Sequence, residues 1–118
     1  MDSSASSLLE LKNSWKDFVE DCKIGYCESI YEFDYDLKIR EELQEFILSD
    51  NFFGLNYKDE IVKEINMIDS EFVEILNFTD SNDSNLPFWR RKKVLKYAGQ
   101  YYATDVLNIF GIKILTVE

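Results

Sequence analysis

Residues 29–48 of the chain, SIYEFDYDLKIREELQEFIL, decide between two fold classes. From Tyr31 to Ile39 apolar and polar side chains alternate strictly, and a period of two with many aromatic residues favours a β-strand. Ser29 and Glu32, however, have the spacing of a capping box, in which the two side chains satisfy backbone N–H groups at the start of a helix. The second half, REELQEFIL, has helical spacing. We predict one helix over 29–48, with a strand followed by a helix as the alternative.

The segment before this stretch has the period of an amphipathic helix. Ser7 and Glu10 match a second capping box, and Gly25 is a suitable helix end. Between them runs one apolar stripe: Leu8, Leu11, Trp15, Phe18, Val19 and Cys22. We therefore predict a first helix that begins at Ser7 and ends near Gly25.

A third helix is predicted after the connector that follows residue 48. Asn56 is its expected cap, with Asp59 three residues later. Its apolar seam consists of Ile61, Ile65, Ile68, Phe72 and Ile75. Ile65 and Ile68 should lie in the core, whereas Asp69 and Ser70, which prefer caps to helix interiors, are a candidate break.

The last helix is predicted to start near Pro87 and to end at Gly111, since proline suits a first turn and glycine a C-terminal cap. Residues 112–117, IKILTV, then form a short strand or a docked tail. The fold class we predict is mainly α, a single-domain bundle of four to five helices over residues 1–118 with a possible short C-terminal strand. The alternative is α+β, with a small sheet formed by residues 29–39 and 112–117.

Composition restricts the class of protein further. The 118 residues are 46% hydrophobic, enough for one domain with its own core, and the formal net charge is -10. No run of 18 apolar residues is present, and the first residues lack the basic region of a secretory signal. We expect a cytoplasmic protein with no membrane partner, in which Cys22 and Cys27 are free thiols.

The sequence offers little of the chemistry that enzymes use. It contains no histidine, and its four glycines lie far apart, which excludes imidazole catalysis and glycine-rich phosphate loops. The loop DSNDSN lacks the glycine and the glutamate of a calcium loop at the sixth and twelfth positions. We predict a protein that is not an enzyme and has no catalytic residues, no metal site and no cofactor.

Charge is distributed unevenly along the chain. Residues 1–85 contain 21 acidic and 7 basic residues, whereas residues 86–118 contain 2 acidic and 6 basic ones. Four consecutive basic residues, Arg90 to Lys93, and then Lys96 follow Trp89. We interpret them as counterions for the protein's own acidic surface. Contact with another protein and phosphate binding with Trp89 stacked on a base are the alternatives, and the acidic body would oppose the last of these; we expect no nucleic-acid partner.

Residues 31–45 place exposed tyrosines among carboxylates. Tyrosine supplies rigid contact area, and carboxylates attract Lys and Arg, so this stretch suits a basic protein surface. The predicted partner-binding residues are Tyr31, Glu32, Asp34, Tyr35, Asp36, Glu41, Glu42 and Glu45. The alternative is that the aromatic residues face the core and the acids only keep the surface charged.

The profile of a small, acidic, histidine-free chain is similar to that of bacterial immunity proteins, which mask a basic toxin surface. The sequence therefore predicts stoichiometric inhibition of a basic partner, most plausibly a nuclease-type toxin domain. A phage-type DNA mimic that blocks a defence protein, and a regulatory adaptor without inhibitory activity, are the alternatives.

Overall fold

The computed structural model describes residues 3–48 and 58–117, with side chains from Leu8 and from Asp59 onward. The helices of the described part are α1 (Ser3–Gly25), α2 (Ile30–Asp36), α3 (Lys38–Ile47), α4 (Lys58–Glu74) and α5 (Gln100–Phe110). The strands are β1 (Leu76–Phe78), β2 (Lys93–Leu95), β3 (Tyr97–Ala98) and β4 (Leu115–Thr116). Short 3-10 turns lie at Ser81–Asp83 and Phe88–Arg90. The prediction of a mainly helical fold with short strands is confirmed.

The strands form two small ladders that fasten the C-terminal third of the chain. β1 pairs with β2 antiparallel, and Leu76 lies opposite Leu95. β3 pairs with β4 in parallel, and Tyr97 lies opposite Leu115. Helix α5 makes the crossover between β3 and β4, as parallel strands require a long connection. The predicted C-terminal strand within 112–117 is confirmed.

Residues 29–48 are helical, so the alternative sheet of residues 29–39 with 112–117 is wrong. The predicted single helix is divided at Leu37, which caps the C-terminus of α2 and begins α3. Ile30, Phe33 and Leu37 are buried, at helical spacing, whereas Tyr31 and Tyr35 are exposed. The apolar residues of the period-two pattern therefore lie on two faces of a helix: Phe33 and Leu37 face the core, whereas Tyr31 and Tyr35 face solvent.

The prediction of a last helix from Pro87 is wrong over its first half. Pro87 precedes a 3-10 turn, residues 93–95 are a strand, and α5 begins only at Gln100. Leu95 is buried in the strand that pairs with β1, and next to this ladder Lys96 N donates to Ile75 O at 2.8 Å. The predicted end of the last helix is confirmed, since Gly111 caps α5 with a φ of 70° in the left-handed region.

Two further predictions about helix bounds are wrong. Helix α1 begins at Ser3, so Ser7 is inside the helix and does not cap it; its end at Gly25 is confirmed. Helix α4 continues through Asp69 and Ser70, because the Asp69 carboxylate has buried partners and the Ser70 hydroxyl donates to Asn66 O at 3.0 Å. The predicted Asn56 cap lies outside the described residues.

A cluster of aromatic rings fills the centre of the core. Trp15 of α1 meets Phe72 of α4 edge-on at 5.2 Å between ring centroids, and Phe33 of α2 meets Tyr102 of α5 at the same distance. Such edge-on pairs add about 0.5–1.5 kcal/mol each beyond their buried area. The Tyr102 hydroxyl also accepts the N–H of Leu95 at 3.2 Å, which ties the cluster to β2.

Arg40 is the one buried charged residue of the described part of the chain. Its guanidinium donates to both carboxylate oxygens of Asp69, each at 2.9 Å. The indole N–H of Trp15 donates to the same carboxylate at 3.0 Å, and the Trp89 ring lies 4.2 Å from the guanidinium carbon. The ion pair therefore joins α3 to α4, α1 and the turn before β2.

The α4 seam provides a direct test of the core. Ile65 is fully buried, and Ile68 is buried as predicted. We expect Ile65→Ala to lower the free energy of unfolding by about 2–5 kcal/mol, because it removes buried methyl groups and leaves a cavity. Met67→Ala is the matched control on the same helix, since Met67 is 62% exposed. Chemical denaturation measures both; equal losses would contradict the assignment of the seam.

The Arg40–Asp69 pair gives a second test. Arg40→Met should cost about 3–5 kcal/mol, because it leaves the Asp69 carboxylate without its countercharge. Adding Asp69→Asn removes that charge while keeping an acceptor for Trp15, so the double variant should recover part of the loss. Denaturant titrations of the single and double variants measure this coupling. A double variant no more stable than Arg40→Met would contradict the proposed charge dependence.

Candidate functional site

The N-terminus of α2 is fixed by two side chains. Ser29 Oγ accepts the N–H of Glu32 at 3.2 Å, as the capping box predicts. The N–H of Ile30 donates to Asp105 Oδ2 of α5 at 3.1 Å. With Phe33 buried below them, these contacts set the rotation of the helix, so Tyr31 points to solvent.

An outer ridge runs along α2 and α3 and consists of Tyr31, Tyr35, Lys38, Glu42 and Glu45. Tyr31 and Tyr35 are 72% and 66% exposed and lie one helical turn apart. The Lys38 ammonium lies 5.2 Å from the centroid of the Tyr35 ring, which connects α2 to α3. Glu42 and Glu45 then follow at helical spacing and are exposed. The ridge thus brings together both predicted tyrosines and two of the predicted carboxylates.

The six predicted carboxylates separate into two groups. Glu32, Glu42 and Glu45 are exposed and form no ion pair with another described residue. The other three, called here the inward group, interact with other parts of the same chain: Asp36 and Glu41 are half-buried, and Asp34 is exposed but close enough to Lys93 to interact with its charge. Four of the six predicted carboxylates are therefore exposed.

The inward group interacts with residues distant in sequence. Asp36 accepts the Tyr26 hydroxyl at 2.9 Å; burial and this bond together raise the pKa of Tyr26. Glu41 receives two hydrogen bonds from Arg90, at 2.7 and 2.8 Å, and these hold the pKa of Glu41 below its usual value. Burial raises the pKa of Asp34, against the opposing charge of Lys93. Glu41 and Asp36 thus have internal hydrogen-bond partners, and their predicted contact with another protein stays a prediction.

The consecutive basic residues lie against carboxylates of the protein itself. Besides the Arg90–Glu41 pair, Arg91 lies 3.5 Å from Asp83, and Lys92 lies 3.6 Å from Asp80. The loop is shaped for this role. Asp80 Oδ1 accepts the N–H of Asn82 at 2.9 Å, and Asp83 Oδ2 accepts the backbone N–H of Lys92 at 2.7 Å. This geometry supports the interpretation of the basic residues as internal counterions.

A groove of about 650 Å³ opens between α2–α3, the basic residues and the end of α5. Its lining includes five basic side chains and two acidic ones, together with apolar groups. Lys38, Lys93 and Phe110 belong to it but were not among the predicted site residues. The four consecutive basic residues made Lys93 noticeable in the sequence. The helix predicted for this segment gave no indication that these residues line a groove.

Lys93 is the most confined cation of the groove. Its ammonium donates to the backbone oxygens of Trp89 and Arg91, at 3.1 and 2.8 Å. Burial lowers the pKa of Lys93 to about 8, although Asp34 and Asp83 act in the opposite direction. Among the described residues no carboxylate lies within ion-pair distance of it.

The two cysteines differ in environment. Cys22 is buried and Cys27 exposed, both as free thiols, as predicted. Burial raises the pKa of the Cys22 thiol, with Asp21 and Asp36 acting in the same direction, so the reactive thiolate is disfavoured. In the described ranges, 3–48 and 58–117, no group of three potential metal ligands comes together.

Comparisons of the chain with protein-family models, curated proteins and solved structures found no match. None of the described helices combines the length and the apolar character needed to cross a bilayer.

The counterion interpretation predicts how charge reversal affects stability. Arg91→Glu with Lys92→Glu should lower the melting temperature at low salt, because each new carboxylate faces an acid of the 80–83 loop. The difference should shrink at about 1 M salt, where the screening length is about 3 Å. Lys63→Glu with Lys113→Glu is the matched control, since both lysines are exposed and form no ion pair with a described residue.

The control changes the net charge equally and should destabilise the protein less. Thermal unfolding monitored by circular dichroism at both salt concentrations measures the comparison. Two results together would contradict the counterion role: salt-dependent oligonucleotide binding by the wild type, and a double reversal that abolishes this binding while it leaves stability intact.

Proposed function

We propose that this protein is a small acidic binding protein of the cytoplasm that inhibits a basic protein partner at one-to-one stoichiometry. The most plausible case is a bacterial immunity protein that neutralises a nuclease-type toxin domain. The observation that carries the proposal is the outer ridge, on which two highly exposed tyrosines continue into carboxylates that form no ion pair with a described residue.

The two tyrosines are suited to anchor a partner. Large aromatic residues are usually buried, and Tyr31 and Tyr35 are instead displayed side by side on a helix. A tyrosine has few rotatable bonds, so its immobilisation costs little entropy while it contributes a large contact area and a hydroxyl group. Residues of this type dominate the free energy of many protein interfaces.

The carboxylates supply the electrostatic part. Glu32, Glu42 and Glu45 lie beside or along the ridge without a basic partner in the described chain, and the net charge of the protein is -10. Such a surface accelerates the approach of a basic cleft and forms charge-assisted hydrogen bonds to its Lys and Arg side chains. Inhibition then requires only occupancy of the cleft and no turnover.

Rigidity supports the same role. Helix α2 is held by Ser29, by Asp105 and by the buried Phe33, so Tyr31 and Tyr35 are presented on a fixed support. A binding surface that is already ordered loses less conformational entropy on association. We restrict the partner-binding set accordingly to five residues of the predicted eight: Tyr31, Glu32, Tyr35, Glu42 and Glu45.

The test uses capture of a partner followed by inhibition. Immobilised wild-type protein should retain a basic protein from its source cells, and Glu42→Lys with Glu45→Lys should release it. Glu10→Lys with Glu20→Lys on α1 is the matched control, because it changes the charge equally at exposed positions away from the ridge. The control should retain the partner, and association with the wild type should slow as salt increases.

Titration of the captured partner's activity completes the test. Complete inhibition at an equimolar ratio supports the proposal, whereas silencing by far smaller amounts would indicate catalysis. Loss of the partner in both charge variants, or in neither, would contradict the assignment to the ridge. A partner with an acidic or neutral contact surface would also contradict it.

A further inference from the structure

The lining of the groove contains more basic than acidic side chains, although the protein as a whole is acidic. Its basic lining residues are Lys38, Arg90, Arg91, Lys92 and Lys93, and its acidic ones are Asp34 and Glu41. Arg90, Arg91 and Lys92 are paired with Glu41, Asp83 and Asp80, whereas Lys38 and Lys93 have no carboxylate within ion-pair distance among the described residues. A concave and locally basic surface in a chain of net charge -10 is a candidate site for an anion.

Lys93 has an environment that suits the binding of an anion. A desolvated ammonium is costly unless it is paired, and Lys93 has only backbone carbonyls as hydrogen-bond partners. An ammonium has three N–H donors, and two of them are used. A bound anion would accept from the third N–H and add to the partial compensation that Asp34 and Asp83 give the ammonium.

The lining also contains two aromatic side chains, Trp89 and Phe110. Trp89 is half-buried in the groove wall, with its ring near the Arg40 guanidinium. Phe110, at the end of α5, lines the same groove and is 55% exposed. The volume of about 650 Å³ lies in the range of about 300–1,000 Å³ that is typical of small-molecule sites.

We propose that this groove binds a small organic anion that joins an acidic head to a planar apolar body. Lys93 holds the head, and the body lies against Trp89 and Phe110. The site goes beyond the proposed function: Lys38 is the one ridge residue in its lining, and Lys93, Trp89 and Phe110 are not assigned to the partner surface.

Three naphthalene compounds of similar shape test the site by isothermal titration calorimetry. They are naphthalene-2-sulfonate, the neutral 2-naphthylmethanol and the cationic 2-naphthylmethylammonium. The sulfonate should bind at least about tenfold more tightly than the neutral compound, because only the sulfonate forms a charge-assisted hydrogen bond with Lys93. The cation should bind more weakly than either. Equal affinities, or no binding of the sulfonate, would overturn the proposal.

Variants locate the binding in the groove. Lys93→Met should remove the preference for the sulfonate, whereas Lys63→Met, an equal charge change on exposed α4, should keep it. Phe110→Ala should weaken all three compounds, and the adjacent Ile109→Ala, also exposed but outside the lining, should not. Equal effects of variant and control would overturn the proposal.

The pH dependence gives a readout on the wild type, in case Lys93→Met disturbs the strand. Lys93 is protonated below its pKa of about 8, so sulfonate affinity should fall as the pH rises through that value. Asp34 and Asp83 face Lys93, and Lys38, Arg90, Arg91 and Lys92 line the same groove with it. A sulfonate affinity that stays constant through this interval would contradict the role of Lys93.

Discussion

The buried ion pair between Arg40 and Asp69 is the constraint on which the arrangement of the other elements depends. A buried charge restricts the arrangement of the elements around it, because its partner must be placed with correct hydrogen-bond geometry. Arg40 donates two hydrogen bonds to the Asp69 carboxylate, and the indole N–H of Trp15 donates a third. The pair thereby specifies how α3 is rotated against α1 and α4. That rotation in turn directs Glu42 outward and Glu41 toward Arg90.

The same arrangement gives the two sides of α2–α3 different electrostatic character. The outer ridge presents carboxylates that have no counterion among the described residues, whereas the opposite side faces Arg90 and Lys93. Acidic residues of the helices and of the 80–83 loop neutralise most of the basic segment. A chain of strongly negative net charge thus contains a basic concavity without presenting a general basic surface.

The helical segments were largely predictable because burial follows a period near 3.6. The seam of α4, the capping of α2 by Ser29 and the end of α5 at Gly111 follow from local chemistry. The segment before Gln100 was not predictable in this way. Its buried residues, Val94, Leu95 and Ala98, also fit a helical stripe, and only pairing with β1 and β4 selects strands.

The candidate site shows the same limit. Exposure of Tyr31 and Tyr35 follows once α2 is helical, because Phe33 between them must face the core. The pairing of Glu41 with Arg90 cannot be predicted in this way, since the two residues are 49 positions apart in sequence. Interactions of that range depend on the packing of helices, and no local pattern reports them. For this reason the sequence did not indicate which acids have internal partners, and the groove was not anticipated.

The fastening of α1 by the C-terminal segment has a consequence for the order of folding. Gly99 N donates to Tyr26 O at 2.8 Å, and the Tyr97 hydroxyl donates to Lys23 O at 2.6 Å. Tyr102 and Leu95 also complete the aromatic cluster that begins with Trp15. During synthesis, helices α1 to α4 therefore leave the ribosome with an unfinished apolar face. The core closes only when residues 94–106 have emerged, so nascent chains depend on late, non-local contacts for protection from aggregation.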